Sequence, residues 1–553
     1  MNRKLPLRHL TVRVPWHDAG WDGRVCKAPR HNGACLILNR IAQSRDDDAE
    51  EAVAGKSIKD LPQDKWPCCV GEKMAFMADF EYDRKVNHPY KGLGYKSHQH
   101  FAETTLRHPP YSAACIPFNW MFSSRLEDLR DEYEIDVDPE YEPDVVNQWG
   151  DAIATDWVQS KKNQGELLDC FFRHVKPQQS LVFFYAKQVP FVDTPGRVLI
   201  GAGRVMHVGQ PTEYRYTTKK PPSRALLWEV MVQHSIRPHF RDGFILPYHL
   251  ALEFAEENPE FDPASVAAMA PADRFDEFSY ATEHLPHDGA IDSLLACAEA
   301  LRKAAGSLPG DFSRQLSWID RQLNELWTMR GPCPGLGSAL LAFGVNYGNF
   351  VAREIETKIG ANDDPWPFVE KCFANPHKHL TPESAAELSD ELCKTWKRLP
   401  DERKRLLRLV SRFSLNEEQA KMMYVHEVRE QHGFTFSDAD IIDNPYRVFE
   451  LTRLTASPVG ITTIDHGVFP DRIIRDKHPL PKPSALESGT DPRRVRALSV
   501  ALLESASDNG DTLVPRSELI RKLRDWEIRP KCEVTGDLMS VVEEHFSPEV
   551  SLR

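Results

Sequence analysis

"DNPYRVFE", residues Asp443–Glu450, reads as the end of one helix and the start of another. Proline disfavours the α conformation in the residue before it, so Pro445 pushes Asn444 out of the helical region and ends the preceding segment. Tyr446, Phe449 and Leu451 then supply the apolar side of the next helix, and Arg447 is the motif's cation. The neighbouring segments repeat this punctuation. Before it, "SLNEEQAKMMYVHEVREQHG" places Ser414 and Glu417 at capping-box spacing and stops at Gly433. Ser437 then offers an N-cap for "SDADIID". After it come "PVGITTID", the amphipathic "DPRRVRALSVALLESASDNGD", and "TLVPRSELIRKLRDW", an extended piece followed by a helix.

Further upstream the helical period continues. "IDSLLACAEALRKAAGSL" and "SRQLSWIDRQLNELWTMRG" carry apolar residues at i, i+3, i+4 spacing, and the second stops at Gly331. In "TPESAAELSDELCKTWKRL", Thr381 suits an N-cap and Pro382 the first helical position. Residues 165–245 differ. "SLVFFYAKQVPF", "RVLIGAGRVMHVG" and "ALLWEVMVQHSI" are rich in β-branched and aromatic residues, which predicts a small sheet of at least three strands. The basic loop "RYTTKKPPSR", with Lys219 and Lys220, lies between the last two. These shifts predict an α+β multidomain chain. Its parts are a Cys/His/Trp-rich domain over 1–125, an acidic linker or surface segment over 126–164, a β-rich module over 165–250, a helical domain over 251–400, and a region over 401–553 that is helix-hairpin-helix-like by resemblance to a known family.

The 553 residues suggest roughly three to four domains. Charged residues make up 27% and hydrophobic ones 41%, as in folded globular proteins rather than disordered ones. No apolar run reaches the ~18 residues needed to span a membrane, and the basic start leads into no stretch of signal-peptide length, so a cytoplasmic location is expected. The 11 cysteines, an odd number, argue against a disulfide framework. A net charge of −13 disfavours a protein that coats nucleic acid with its whole surface, but it leaves room for a local basic face.

Several chemistries are missing. No Walker A loop, H-E-x-x-H, G-x-S-x-G or kinase set occurs. Cys26, Cys35, Cys68, Cys69 and Cys115 lie alongside His31, His88, His98 and His100, and such donors suit zinc, or an iron–sulfur cluster where four thiolates converge. Cys26, Cys35, Cys68 and Cys115 are the candidate ligands. The strands over 176–205 also resemble those of PUA-like and EVE-type modules, which can hold a flipped or modified base.

The order of "LLRLVSRFSLNEEQAKMMYVHEV", "IIDNPYRVFEL", "PVGITTID" and "DPRRVRALSVALLESASDNGDTLVPRSELI" resembles the non-motor region of RecD-like superfamily 1 DNA helicases with long N-terminal extensions. Asn444, Pro445, Tyr446 and Arg447 match the family's Asn-Pro-Tyr-Arg segment. Gly460, Thr463 and Asp465 match its helix-hairpin-helix. Arg494, Arg496 and Ala497 match the next helix of the family, and Gly510, Thr512 and Pro515 the segment before the motor. Two positions depart from the pattern: Pro458 replaces the first hairpin glycine, and Asp511 replaces a histidine. "PGLGSALLAFG", with Gly335 and Gly337, is similar to an earlier hairpin. The resemblance implies DNA, single-stranded or at duplex ends, as a partner. It also implies a helicase motor supplied by a further C-terminal half or a separate subunit, with Arg447, Gly460, Thr462, Thr463, Arg494 and Arg496, and Lys219 and Lys220 upstream, as contacts. Two alternatives stand beside it: a metal-containing nucleic-acid processing enzyme using the Cys/His cluster, and a scaffold or sensor of modified DNA in a defence system.

Overall fold

The computed structural model describes all residues except 1–5, 73, 90, 92–99, 134, 143–155, 194–195, 221–222, 239–241, 509, 549 and 551–553. The chain is mixed α+β, and its described residues divide into two compact units, one ending at Asp320 and the other starting at Arg321. The boundary falls within the helix Ser313–Arg330.

The first unit is built on a seven-stranded sheet. Its strands are β1 (His9–Arg13), β4 (Ser112–Cys115), β5 (Leu181–Ala186), β6 (Val198–Val208), β7 (Val230–His234), β8 (Gly243–Ile245) and β9 (Thr282–Leu285), ordered β4-β7-β6-β5-β1-β9 with β8 also on β6. The three strands expected from composition are β5, β6 and β7. They are not a separate module, however, because β1 pairs parallel to β5 and antiparallel to β9. All six residues of β5 are buried, as an unbroken apolar run requires when both faces are covered. β2 (Tyr82–Val86) and β3 (Thr104–His108) form a second, two-stranded sheet.

The acidic stretch after Glu127 is more than a linker. Leu126 and Leu129 of the helix Leu126–Tyr133 are buried, as are Ile135 and Val137. Glu142 accepts hydrogen bonds from the backbone N–H groups of Gln159 and Ser160 and from Asn163 Nδ2. The apolar residues spaced among the charges pack inward and fix the stretch to the unit.

The second unit is almost wholly helical, around a core that includes Leu340, Trp366, Phe373, Trp396, Leu407, Ile464 and Leu498. Thr381 and Ser437 cap helices as their sequence contexts suggest. The capping box near 415 is shifted. It joins Asn416 and Gln419, not Ser414 and Glu417, because Leu415 is drawn into the core and delays the helix start. Two predicted long helices are each broken. Ser389 caps a fresh start after Leu388, and Val425 sits in an extended conformation between Glu417–Tyr424 and His426–Gln431.

Candidate functional site

The helix Asp438–Asp443 ends at Asn444, which has φ −134° and ψ 86°, and the next begins at Arg447. The junction is locked rather than freely hinged. Tyr446 is buried, and its hydroxyl donates to Asp465 Oδ1 at 2.6 Å. Asp465 lies on the helix Ile461–Val468 and is gripped in fork fashion by Arg494, with Nε–Oδ1 2.7 Å and Nη2–Oδ2 2.8 Å. Glu450 is held the same way by Arg496, with both N–O distances 2.8 Å. Arg493 donates to the carbonyls of Asp443, at 2.7 Å, and Pro483, at 2.8 Å. Three arginines of one helix thus clamp the segment Asp443–Glu450 and the helix after it. Fork geometry suits arginine because its planar guanidinium presents parallel N–H donors.

This geometry corrects part of the expected DNA-contact set. Arg494 is fully buried and Arg496 is committed to Glu450 and to the carbonyls of His545 and Ser547, so both cations are spent inside the fold. Thr463 is buried. Gly460, half-buried, is the N-cap of the helix that starts at Ile461, and no side chain caps it there. Thr462 is half-buried beside it. The carbonyl of Pro458 accepts from Gln419 Nε2 at 2.7 Å, tying the turn to the preceding helix pair. Arg447 is exposed, and no hydrogen bond or ion pair joins its guanidinium to another described residue. Lys219 and Lys220 are also exposed and belong to the first unit. In the earlier glycine segment the Gly335 N–H donates to the Ser411 carbonyl at 2.9 Å, which removes it as a phosphate donor.

A basic surface that motif reading passed over lies on the helices Asp390–Arg398 and Asp401–Val410. Lys394, Lys397, Arg398, Arg403, Lys404, Arg405 and Arg408 fall between positions 394 and 408. Arg403 pairs with Asp438 and Arg408 with Glu370. Lys394, Arg398 and Arg405 are exposed and make no ion pair with described residues. The local charge density of "KTWKRLPDERKRLLR" was the available signal.

In the first unit, the four cysteines expected to share a metal do not converge. Cys115 is buried on β4. Cys35 accepts from Arg45 Nη1 at 3.2 Å, and Cys68 lies 3.8 Å from a Glu50 oxygen. Of the histidines, His31 and His100 are exposed, His88 is buried and stacked on Phe101, and His98 lies outside the described residues. The metal-donor grouping among the described residues is a different one: His17, Asp18 and Cys26 offer donor atoms all within 4.8 Å of one another. Burial pulls the His17 imidazole down to about 4. Burial, then the Asp18 carboxylate, pushes the Cys26 thiol up to about 12.

Glu283 on β9 carries no sequence signal but stands out in the fold. It is buried, and its Oε1 has no hydrogen-bond partner. Burial pushes its carboxyl up to about 8 against the opposing pull of Arg125. The folded carboxyl therefore holds its proton to a higher pH than the unfolded one. Between about 4.5 and 8 the folded state carries more protons, and stability falls as pH rises through that window. Glu283→Gln should flatten this slope in denaturant midpoints measured from pH 5 to 9. An unchanged slope would assign it to other groups.

No family model matches the chain, and no solved structure matches it. An uncharacterized protein of Methanocaldococcus jannaschii is 38% identical over 39 residues, covering 7% of this chain and 3% of that protein. Among the described residues, no helix is long and apolar enough to cross a membrane.

Proposed function

We propose that this chain is a DNA-binding, non-motor part of a RecD-like helicase assembly, with the ATPase motor supplied outside these residues. The observation that carries the reading is the Tyr446–Asp465–Arg494 lock. Three widely separated positions, each part of the resemblance to the RecD-like pre-motor region, meet in one buried cluster that fixes the turn between the helices Arg447–Thr452 and Ile461–Val468. Two sets of cations that make no ion pair with described residues favour backbone contact: Arg447, and Lys394, Arg398 and Arg405. Phosphate contacts of this kind position a protein on DNA without reading sequence.

Binding of fluorescently labelled single-stranded and blunt-ended DNA should weaken linearly on a log–log plot against salt. Each lost phosphate contact lowers the slope by about 0.7–0.9, so Lys394→Ala/Arg398→Ala/Arg405→Ala should lower it by about 2 and Arg447→Ala by about 1. Salt-independent binding, or a slope untouched by all four substitutions, would sink the proposal.

A further inference from the structure

We propose that His17, Asp18 and Cys26 form a divalent-metal site of zinc type in the loop that leaves β1. The three residues offer nitrogen, carboxylate oxygen and sulfur donors within 4.8 Å of one another. Tetrahedral zinc, at bond lengths of ~2.0–2.3 Å, places its ligands ~3.3–3.6 Å apart, so closure asks each donor to move by about 1 Å or less. A mixed N/O/S set suits zinc over magnesium or calcium, which take oxygen ligands.

Four features show that the loop is built to hold these donors together. The backbone winds through positive φ at Gly20 (83°), Trp21 (56°) and Gly23 (78°). Such a φ is strained for a residue as bulky as tryptophan and persists only when its surroundings over-determine it. Trp21 is fully buried, donates from Nε1 to the Pro15 carbonyl at 3.1 Å, and stands edge-on to Trp16 and His249. Asp18 accepts from the N–H groups of Lys27, at 2.8 Å, and Ala28, at 3.0 Å, which draws the limb carrying Cys26 up to the His17–Asp18 limb. Asn32 Nδ2 donates both to the Trp16 carbonyl, at 3.1 Å, and to Cys26 Sγ, at 3.5 Å, and so aims the sulfur.

One of the three residues is also short of a partner. His17 Nε2 is buried without a hydrogen-bond partner, and no lysine or arginine side chain pairs with Asp18 among the described residues. A buried imidazole nitrogen without a partner is costly, and beside a carboxylate and a sulfur it becomes favourable around a cation. On binding, the Cys26 S–H bond breaks, the sulfur keeps the electron pair for the metal, and the proton leaves to solvent. Three protein donors leave a further coordination position for a water molecule.

The site can be tested on the full chain. Protein expressed with added zinc and then desalted should retain about one zinc per chain by elemental analysis. Replacing zinc by cobalt should produce a thiolate-to-cobalt charge-transfer absorption in the near ultraviolet. Cys26→Ser should abolish that band, while Cys393→Ser, in the other unit, should keep it. Asn32→Ala, which removes only the orienting donor, should weaken zinc about 10-fold. Metal-free wild type should gain thermal stability with zinc but not with magnesium, and Asp18→Asn should lose that gain. Wild type that retains no zinc and shows no cobalt band would overturn the proposal, whatever the variants do. So would a Cys26→Ser protein that binds metal as the wild type does.

Discussion

Arg494→Ala is expected to destabilise the helical unit by about 3–5 kcal/mol, the cost of leaving one partner of a buried ion pair uncompensated. Arg494 grips both oxygens of Asp465 and also donates to the carbonyls of Gly489, at 2.8 Å, and Pro530, at 2.5 Å. Alanine would strand a buried carboxylate and two carbonyls at once. Arg494→Lys keeps the charge but not the fork, and should recover only part of the loss. Tyr446→Phe removes a single hydrogen bond to a charged group and should cost about 1.5–3 kcal/mol. Tyr446 and Arg494 share Asp465, so the double variant should cost less than the sum of the two. Urea unfolding followed by tryptophan fluorescence would show this as a lowered midpoint of the transition reporting on Trp366 and Trp396. An Arg494→Ala midpoint equal to wild type would mean that the lock contributes nothing to stability.

Gly335→Ala should be nearly as damaging, at about 3 kcal/mol. A Cβ at this position would lie 1.9 Å from the Phe413 carbonyl oxygen and 3.1 Å from its carbon. The obstacle is backbone, which cannot rotate away as a side chain could. The loop 411–413 is held where it is by the Gly335 N–H on the Ser411 carbonyl and by Arg330 Nη2 on the Arg412 carbonyl at 3.0 Å. Gly536→Ala is the matching control. It has open space around its Cβ position and should change stability by less than about 0.5 kcal/mol. Equal midpoints for the two variants would show that the close approach at Gly335 relaxes without cost.

The helix break at Asn444–Pro445 was legible because proline acts on its immediate neighbour. The helices over 287–307 and 313–330 were legible for a similar reason, since their apolar period is a local pattern. The partners of the arginines were not. Asp465 lies 29 residues from Arg494, and Glu450 lies 46 from Arg496. A basic residue in a family-like motif reads equally as a phosphate contact or as one half of a buried pair until its burial is known. The N-terminal cysteines misled in the opposite direction. Nearness in sequence grouped Cys26 with Cys35, Cys68 and Cys115, while a tight loop with three positive-φ residues brought His17 and Asp18 to Cys26 instead.

The amino-acid sequence by itself determined the strands β5, β6 and β7, the helices over 287–307 and 313–330, the caps at Thr381 and Ser437, and the change from a β-rich to a helical half, because caps, prolines and apolar periods act over a few residues. Only the tertiary structure decided that β1 joins the sheet of β5 and β9, that the Asn-Pro-Tyr-Arg segment is locked and not hinged, and which cations stay free to meet a partner. Those outcomes depend on which distant groups exclude water from one another, and burial of that kind is a property of the packed chain.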